Sequence, residues 1–154
     1  MDEIDILTSP VQNIRNKVAL MESEMKNMPQ VVMTPIHHFA DGLYGREILI
    51  PAGTLVIGKV HKREHLNFLM QGDITVWTET GMKRVQAPLI LKSYPGIKRV
   101  GLTHSDTIWV TVHATDAREG CDLEELENDL TVPTMADYDL YIDEQIKMIL
   151  EVTP

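Results

Sequence analysis

The side chains best suited to chemistry are concentrated in one stretch, Gly58-Lys-Val-His-Lys-Arg-Glu-His-Leu-Asn67. On an extended strand, residues two apart share a face. Lys59, His61, Arg63, His65 and Asn67 are therefore expected to face one way, and Lys62, Glu64, Leu66 and Phe68 the other. A cavity lined by the first set would hold two imidazoles, an amide and two cations. Neutral imidazoles can hold zinc, iron, nickel or copper, but a catalytic zinc site ordinarily takes three protein ligands. His61 and His65 would be two, and His104 or His113 could supply a third. Nearby cations would oppose a metal by charge repulsion. The same cations suit an anion: Arg offers a planar fork, Lys a point charge and His one or two donors. Arg99 can join them from Ser93-Tyr-Pro-Gly-Ile-Lys-Arg99, and Tyr44 and Arg46 from an earlier alternating segment. Against this stands a plainer possibility, that His61, Arg63 and His65 form a solvated edge whose charges discourage edge-to-edge pairing.

The elements that must position these residues can be read along the chain. Ser9-Pro10 starts a helix, with Ser9 as cap and Pro10 at its first position. Val11, Ile14, Val18, Met21, Met25 and Met28 form a near-heptad stripe ended by Pro29. That stripe can pack on its own domain or pair with another subunit. From Val31 to about His113, short β-branched runs are cut by Asp41-Gly42, Pro51-Ala-Gly53, Gln71-Gly-Asp73, Thr80-Gly81 and Pro95-Gly96, the pattern of an all-β sandwich or barrel. Asp122–Leu130 reads as a short helix, and Thr134 or Asp137 can cap a last one. The expected organisation is a helical arm (1–30), a β-barrel (31–115) and an acidic helical extension (116–154) within one globular unit.

Bulk properties narrow the setting. A length of 154 residues suits one domain, and the net charge of −9 argues against a broad nucleic-acid surface. The start, Met1-Asp-Glu-Ile-Asp5, lacks the basic and apolar regions of a signal peptide, and no run reaches the length of a membrane span. Cys121 is the single cysteine, so no internal disulfide forms and a reducing compartment is the simple reading. A cytoplasmic protein without a membrane partner is expected.

The layout from residues 40 to 113 resembles the cupin superfamily. That family's first motif runs from a glycine through a His-x-His pair and a Glu to a closing glycine; its second is Pro-Gly-x-x-His. Here the stretch from Pro51-Ala-Gly53 to Gly72, and Pro95-Gly96, match this layout, but the ligand positions fall on Lys59, His61, His65 and Arg99. The resemblance implies an all-β, double-stranded β-helix (jelly-roll) barrel with an N-terminal helix and C-terminal helices. Its usual metal set is changed, so the resemblance does not firmly imply a cofactor, although a divalent metal remains compatible. Some metal-free cupins, the sugar-nucleotide epimerases and isomerases, have polar His, Arg and Lys pockets. His38-Phe-Ala-Asp-Gly-Leu-Tyr-Gly-Arg-Glu-Ile48, Gly58–Asn67 and Pro95–Gly101 running on to Asp106-Thr-Ile-Trp109 also look like small cupin-like proteins of tailed bacteriophages. That likeness implies a host cytoplasm as the setting.

Three functions follow as expectations. The first is binding of a small anion, such as a nucleotide or signalling nucleotide, by Arg63 and Arg99 with His61 and His65 as donors and Tyr44 and Arg46 at the rim. The second is an enzyme, either metal-dependent or with His61 or His65 as a general base near neutrality. The third is a phage structural or assembly protein working through its N-terminal helix. A homo-oligomer is expected throughout.

Overall fold

The computed structural model describes residues 10–152. Helix α1 (Pro10–Met25) comes first, followed by strands β1 (Ile36–Ala40), β2 (Leu43–Ile50), β3 (Leu55–Ile57), β4 (Val60–His61) and β5 (His65–Gln71). Next come β6 (Asp73–Thr78), β7 (Gly81–Gln86), β8 (Leu89–Ser93), β9 (Val100–Thr103) and β10 (Thr107–Ala114). Helix α2 (Leu123–Leu130), strand β11 (Thr131–Val132) and helix α3 (Met135–Val152) complete the chain. Pro10 opens α1 as its φ preference favours; the expected cap Ser9 lies outside the described residues.

The strands pair antiparallel in the orders β1-β2-β10-β5-β8 and β3-β9-β6-β7, with β4 paired to β11 apart from both. Without the edge strand β1, these are the two four-stranded sheets of a double Greek-key jelly roll. The chain changes sheets at Gly72, whose φ is +105°. A Cβ there would lie 2.5 Å from Thr107 Oγ1, so only glycine permits the crossing.

The apolar core has two parts. Leu69, Ile74, Val76 and Val85 fill the space between the sheets, with Leu89 and Trp109 against them. Leu126 and Leu130 of α2 pack on Tyr44 and close one end. Asp122 caps α2 by accepting from the amides of Glu124 and Glu125 at 3.0 and 3.2 Å. Thr134 caps α3, its hydroxyl accepting from the amide of Asp137 at 3.1 Å. Helix α1 docks on its own barrel: Arg15 pairs with Glu79 at 2.6 Å, and Glu22 with the nearly buried Lys98. Ile14 and Val18 line the cleft beside Trp77 and Val100. Part of the heptad stripe is thus used within the chain, although no α1 residue is fully buried. Among the described residues, no helix is long and apolar enough to cross a membrane.

Candidate metal and anion site

Strand register sorts the inner face of the first sheet into three rungs. Tyr44 stands opposite His113, and His65 opposite Ser93. One rung on, Arg46, Thr111, Asn67 and Leu91 align; on the next, Ile48, Trp109, Leu69 and Leu89. The cavity therefore grades from imidazole and phenol, through guanidinium, hydroxyl and amide, to hydrocarbon. It has a volume of about 360 Å³ and reaches Ile50, Ile74 and Val76 at its apolar end.

His61 enters from β4, which is held by β11: Thr131 pairs with His61, and the Lys62 amide donates to the Leu130 carbonyl at 2.9 Å. The turn at Pro95-Gly96 supports it, with the Gly96 amide donating to the His61 carbonyl at 2.9 Å. Gly96 has φ +82°, and a Cβ there would lie 2.7 Å from the Tyr138 ring, so the close approach of α3 requires glycine.

His61, His65 and His113 converge. Their ring centroids are 4.2 to 4.9 Å apart, and one ligand atom from each lies within 4.8 Å of the others. His61 Nδ1 and His113 Nε2 are 3.0 Å apart, so one donates to the other. His65 Nδ1 lies 2.9 Å from the Arg63 carbonyl. A carbonyl only accepts, so that nitrogen carries the proton and Nε2 presents a lone pair. This Nε2 is buried without a hydrogen-bonding partner among the described residues. An imidazole fixed by a backbone carbonyl on one nitrogen, with the other bare, has the arrangement of a metal-ligating histidine.

Electrostatics keep the rings neutral. Burial, followed by repulsion from His65 and His113 and then from Arg99 and Arg46, pushes His61 down to about 2. Burial, followed by His65 and Arg63, pushes His113 down to about 4. Burial also lowers His65 against the hydrogen bond to Arg63, with Arg99 adding to the lowering. Three unprotonated imidazoles, one with an unshared buried lone pair, fit a borderline divalent ion of the zinc, iron, nickel or copper kind.

Beside them lie two guanidiniums. Arg46 and Arg99 line the cavity, and neither has a carboxylate partner among the described residues. The Arg99 guanidinium lies 5.9 Å over the Trp109 ring, and burial lowers its pKa. Asn67 is the fixed point beneath. Its Oδ1 accepts from Trp109 Nε1 at 3.1 Å and Thr111 Oγ1 at 3.3 Å, and its Nδ2 donates to Ser93 Oγ at 2.7 Å.

Several expected residues are placed differently. Arg63 does not share the inner face with His61 and His65, because the chain bends at Lys62-Arg63 between β4 and β5 and the alternation breaks. Its guanidinium pairs with both Asp129 carboxylate oxygens at 3.1 Å on the exposed side. Lys59 does line the cavity, but Glu127 of α2 neutralises it at 2.9 Å. His104 is exposed and its Nε2 meets Thr75 Oγ1 at 2.6 Å; the third imidazole is His113 instead. The Tyr44 hydroxyl is bonded to His37 Nδ1 at 2.7 Å. Thr111 and Glu127 were not among the expected site residues. The alternation Trp109-Thr111-His113 carried a signal for the first, and nothing local carried one for the second.

No protein-family model and no curated protein matches the chain. Among solved structures, the chain is similar to a cupin-2 domain protein of Shewanella frigidimarina, at 8% identity and TM-score 0.46, over 62% of this chain and 92% of that one. An RmlC-like cupin from the same organism gives 16% and 0.47, over 56% and 78%. KdgF from Halomonas sp. gives 10% and 0.47, over 58% and 89%. These are likenesses of fold alone. The strand order of its own two sheets makes this chain a jelly-roll barrel with flanking helices.

Proposed function

We propose that the barrel holds one divalent transition-metal ion on His61, His65 and His113 and binds a small organic acid beside it. The observation that carries this reading is the buried, unshared lone pair of His65 Nε2 within a cluster of three neutral imidazoles. A bound ion of this kind supplies Lewis acidity and an orienting point for a carboxylate or carbonyl. Arg46 and Arg99 would hold the acid's charge, and the Asn67 network would keep Trp109, and through it Arg99, in place.

The cavity also bears on the ligand's size and body. A volume of about 360 Å³ lies at the lower end of the ~300–1,000 Å³ of small-molecule pockets, which suits a small organic acid. The hydrocarbon end at Ile50, Ile74 and Val76 favours a branched or aromatic body over a second charged group.

Metal-free purified protein titrated with Co(II), read by visible absorption and native mass spectrometry, tests the ion. One ion per chain, lost in His65→Ala, is expected; no uptake would overturn the metal. Calorimetric titration with benzoate and with succinate, with and without the ion, then tests the ligand. Tighter benzoate binding is expected. A second reading, anion capture without metal, is favoured by the two unneutralised guanidiniums. Equal binding of either acid with and without the ion would support it.

A further inference from the structure

A second cavity, also of about 360 Å³, lies outside the barrel and beneath α1. Ile14, Val18 and Ala19 of α1 line one side, Trp77 and Val100 of the second sheet the other, and Met135 at the start of α3 closes one edge. The segment leading into β9 separates this cleft from the barrel cavity: Lys98 and Val100 line the one, Arg99 and Gly101 the other. The chain's two tryptophans divide in the same way, Trp77 to the cleft and Trp109 to the barrel. Protein interiors close-pack and leave few voids larger than a water, so room of this size under a docked helix is contact left unmade. The way α1 is held accounts for the room. Arg15 bonds Glu79 at 2.6 Å, and Glu22 pairs with Lys98, which also donates to the Pro133 carbonyl at 2.8 Å. Arg15 and Glu22 stand about two helical turns apart. The helix rests on these two ionic struts, with Val18 and Ala19 spanning the gap between them and no α1 residue buried.

We propose that this cleft is a second small-molecule site, which takes a neutral, flat aromatic molecule carrying a hydrogen-bond acceptor. Charge decides the neutrality. The lining holds two cations, Arg15 and Lys98, and three carboxylates, Glu22, Glu79 and Asp139. The first four form the struts, and Asp139, 3.7 Å from Arg15, is 63% exposed. No cation is left over for an acid, in contrast to Arg46 and Arg99 in the barrel, and a cationic ligand would have to compete with a strut for its carboxylate. Trp77 decides the shape. Among the described residues no ring and no cation covers its indole, which leaves it open to offset or edge-on stacking. Its indole N–H has no hydrogen-bonding partner among the described residues, whereas that of Trp109 is taken by Asn67. An acceptor on the ligand would satisfy it. Apolar walls with a few placed polar groups are how small-molecule pockets are built. The site depends neither on an ion nor on an acid in the barrel.

A proton–nitrogen correlation spectrum of the full chain tests this, because its two indole signals report the two cavities separately; Trp77→Phe assigns them. Benzamide, benzoate and benzylammonium present one ring with a neutral, a negative and a positive substituent. Benzamide is expected to shift the Trp77 signal saturably, with a millimolar dissociation constant. Each charged analogue should do so about tenfold more weakly, since its charge would be buried without a partner. Val18→Phe, at a half-buried position, fills the cleft and should weaken the benzamide effect by more than about tenfold. Leu20→Phe, 67% exposed and outside the cleft, should leave it unchanged. Circular dichroism checks folding, and Ala19→Phe fills the same space should Val18→Phe not fold. No saturable shift of the Trp77 signal, a shift of Trp109 alone, or a shift that survives the filling substitution would overturn the site. Equal or tighter binding of either charged analogue would overturn the neutral class.

Discussion

Alternate residues of β10 face two different worlds. Trp109, Thr111 and His113 look into the cavity, while Ile108, Val110 and Val112 look out. In most jelly rolls the apolar set is inside and the polar set outside. Here the inner face carries hydroxyl, amide and imidazole for two of its three rungs, and the outer face is hydrocarbon along β10 and β5, with His38, Glu47 and Lys92 on the neighbouring strands. Buried polar groups are costly unless bonded, and the inner ones are bonded, apart from His65 Nε2 and the two guanidiniums. The exceptions are the groups that a metal and an anion would satisfy. The outer face has the opposite surplus, hydrocarbon without cover. One sheet thus carries two opposite surpluses, polar groups within and hydrocarbon without.

The comparison can be broken at the core first. Leu69→Ala, beneath the rungs and 1% exposed, should cost about 2–5 kcal/mol in urea unfolding. Its outward neighbour Met70→Ala should cost the monomer under about 1 kcal/mol, because its side chain is already 61% exposed. Equal costs would mean that the two faces are not as different as drawn. Next in size, His65→Ala should lower metal affinity by more than about 100-fold, since losing only the hydrogen-bond partner of a ligand costs about 10–100-fold. Isothermal titration would read this.

Acid should act on the inner face through its buried imidazoles. In the unfolded chain His61 and His113 take up protons near 6.5, whereas in the fold they resist until about 2 and about 4. Between about pH 6.5 and 4 the unfolded state therefore binds more protons, and the metal-free protein loses stability as pH falls. The slope approaches about 1.4 kcal/mol per pH unit for each ring. Full stability is present above pH 6.5. Thermal melts of the native chain and of a His61→Gln/His113→Gln variant across this range would separate the two rings from the carboxylates; identical slopes would refute the assignment. The smallest contrast is between arginines. Arg99→Ala should weaken benzoate binding about tenfold. Arg63→Ala, which removes an exposed pair, should leave metal and acid affinity unchanged and shift stability by no more than about 1 kcal/mol.

Much of this was legible residue by residue. Turn glycines such as Gly72 and Gly96 and the two-residue alternation of β5 and β10 announce a barrel, because a positive φ and a pleat leave local marks. The same alternation announces Trp109, Thr111 and His113 as one face. Arg63 was misplaced because a bend at Lys62-Arg63 breaks the period, and nothing in the adjacent residue types fixes that bend. Lys59 looked like a free cation until Glu127, delivered by α2, neutralised it.

The sequence by itself thus determined the strand pattern, the presence of two C-terminal helices, and the residue types available to a site, all governed by local backbone preference. Tertiary structure alone decided which three of six histidines meet, which arginines remain unpaired, and that β11 clamps His61. Those outcomes depend on contacts between residues far apart in the chain. Such contacts are set by how the sheets close on one another, and a strand cannot carry that information within itself.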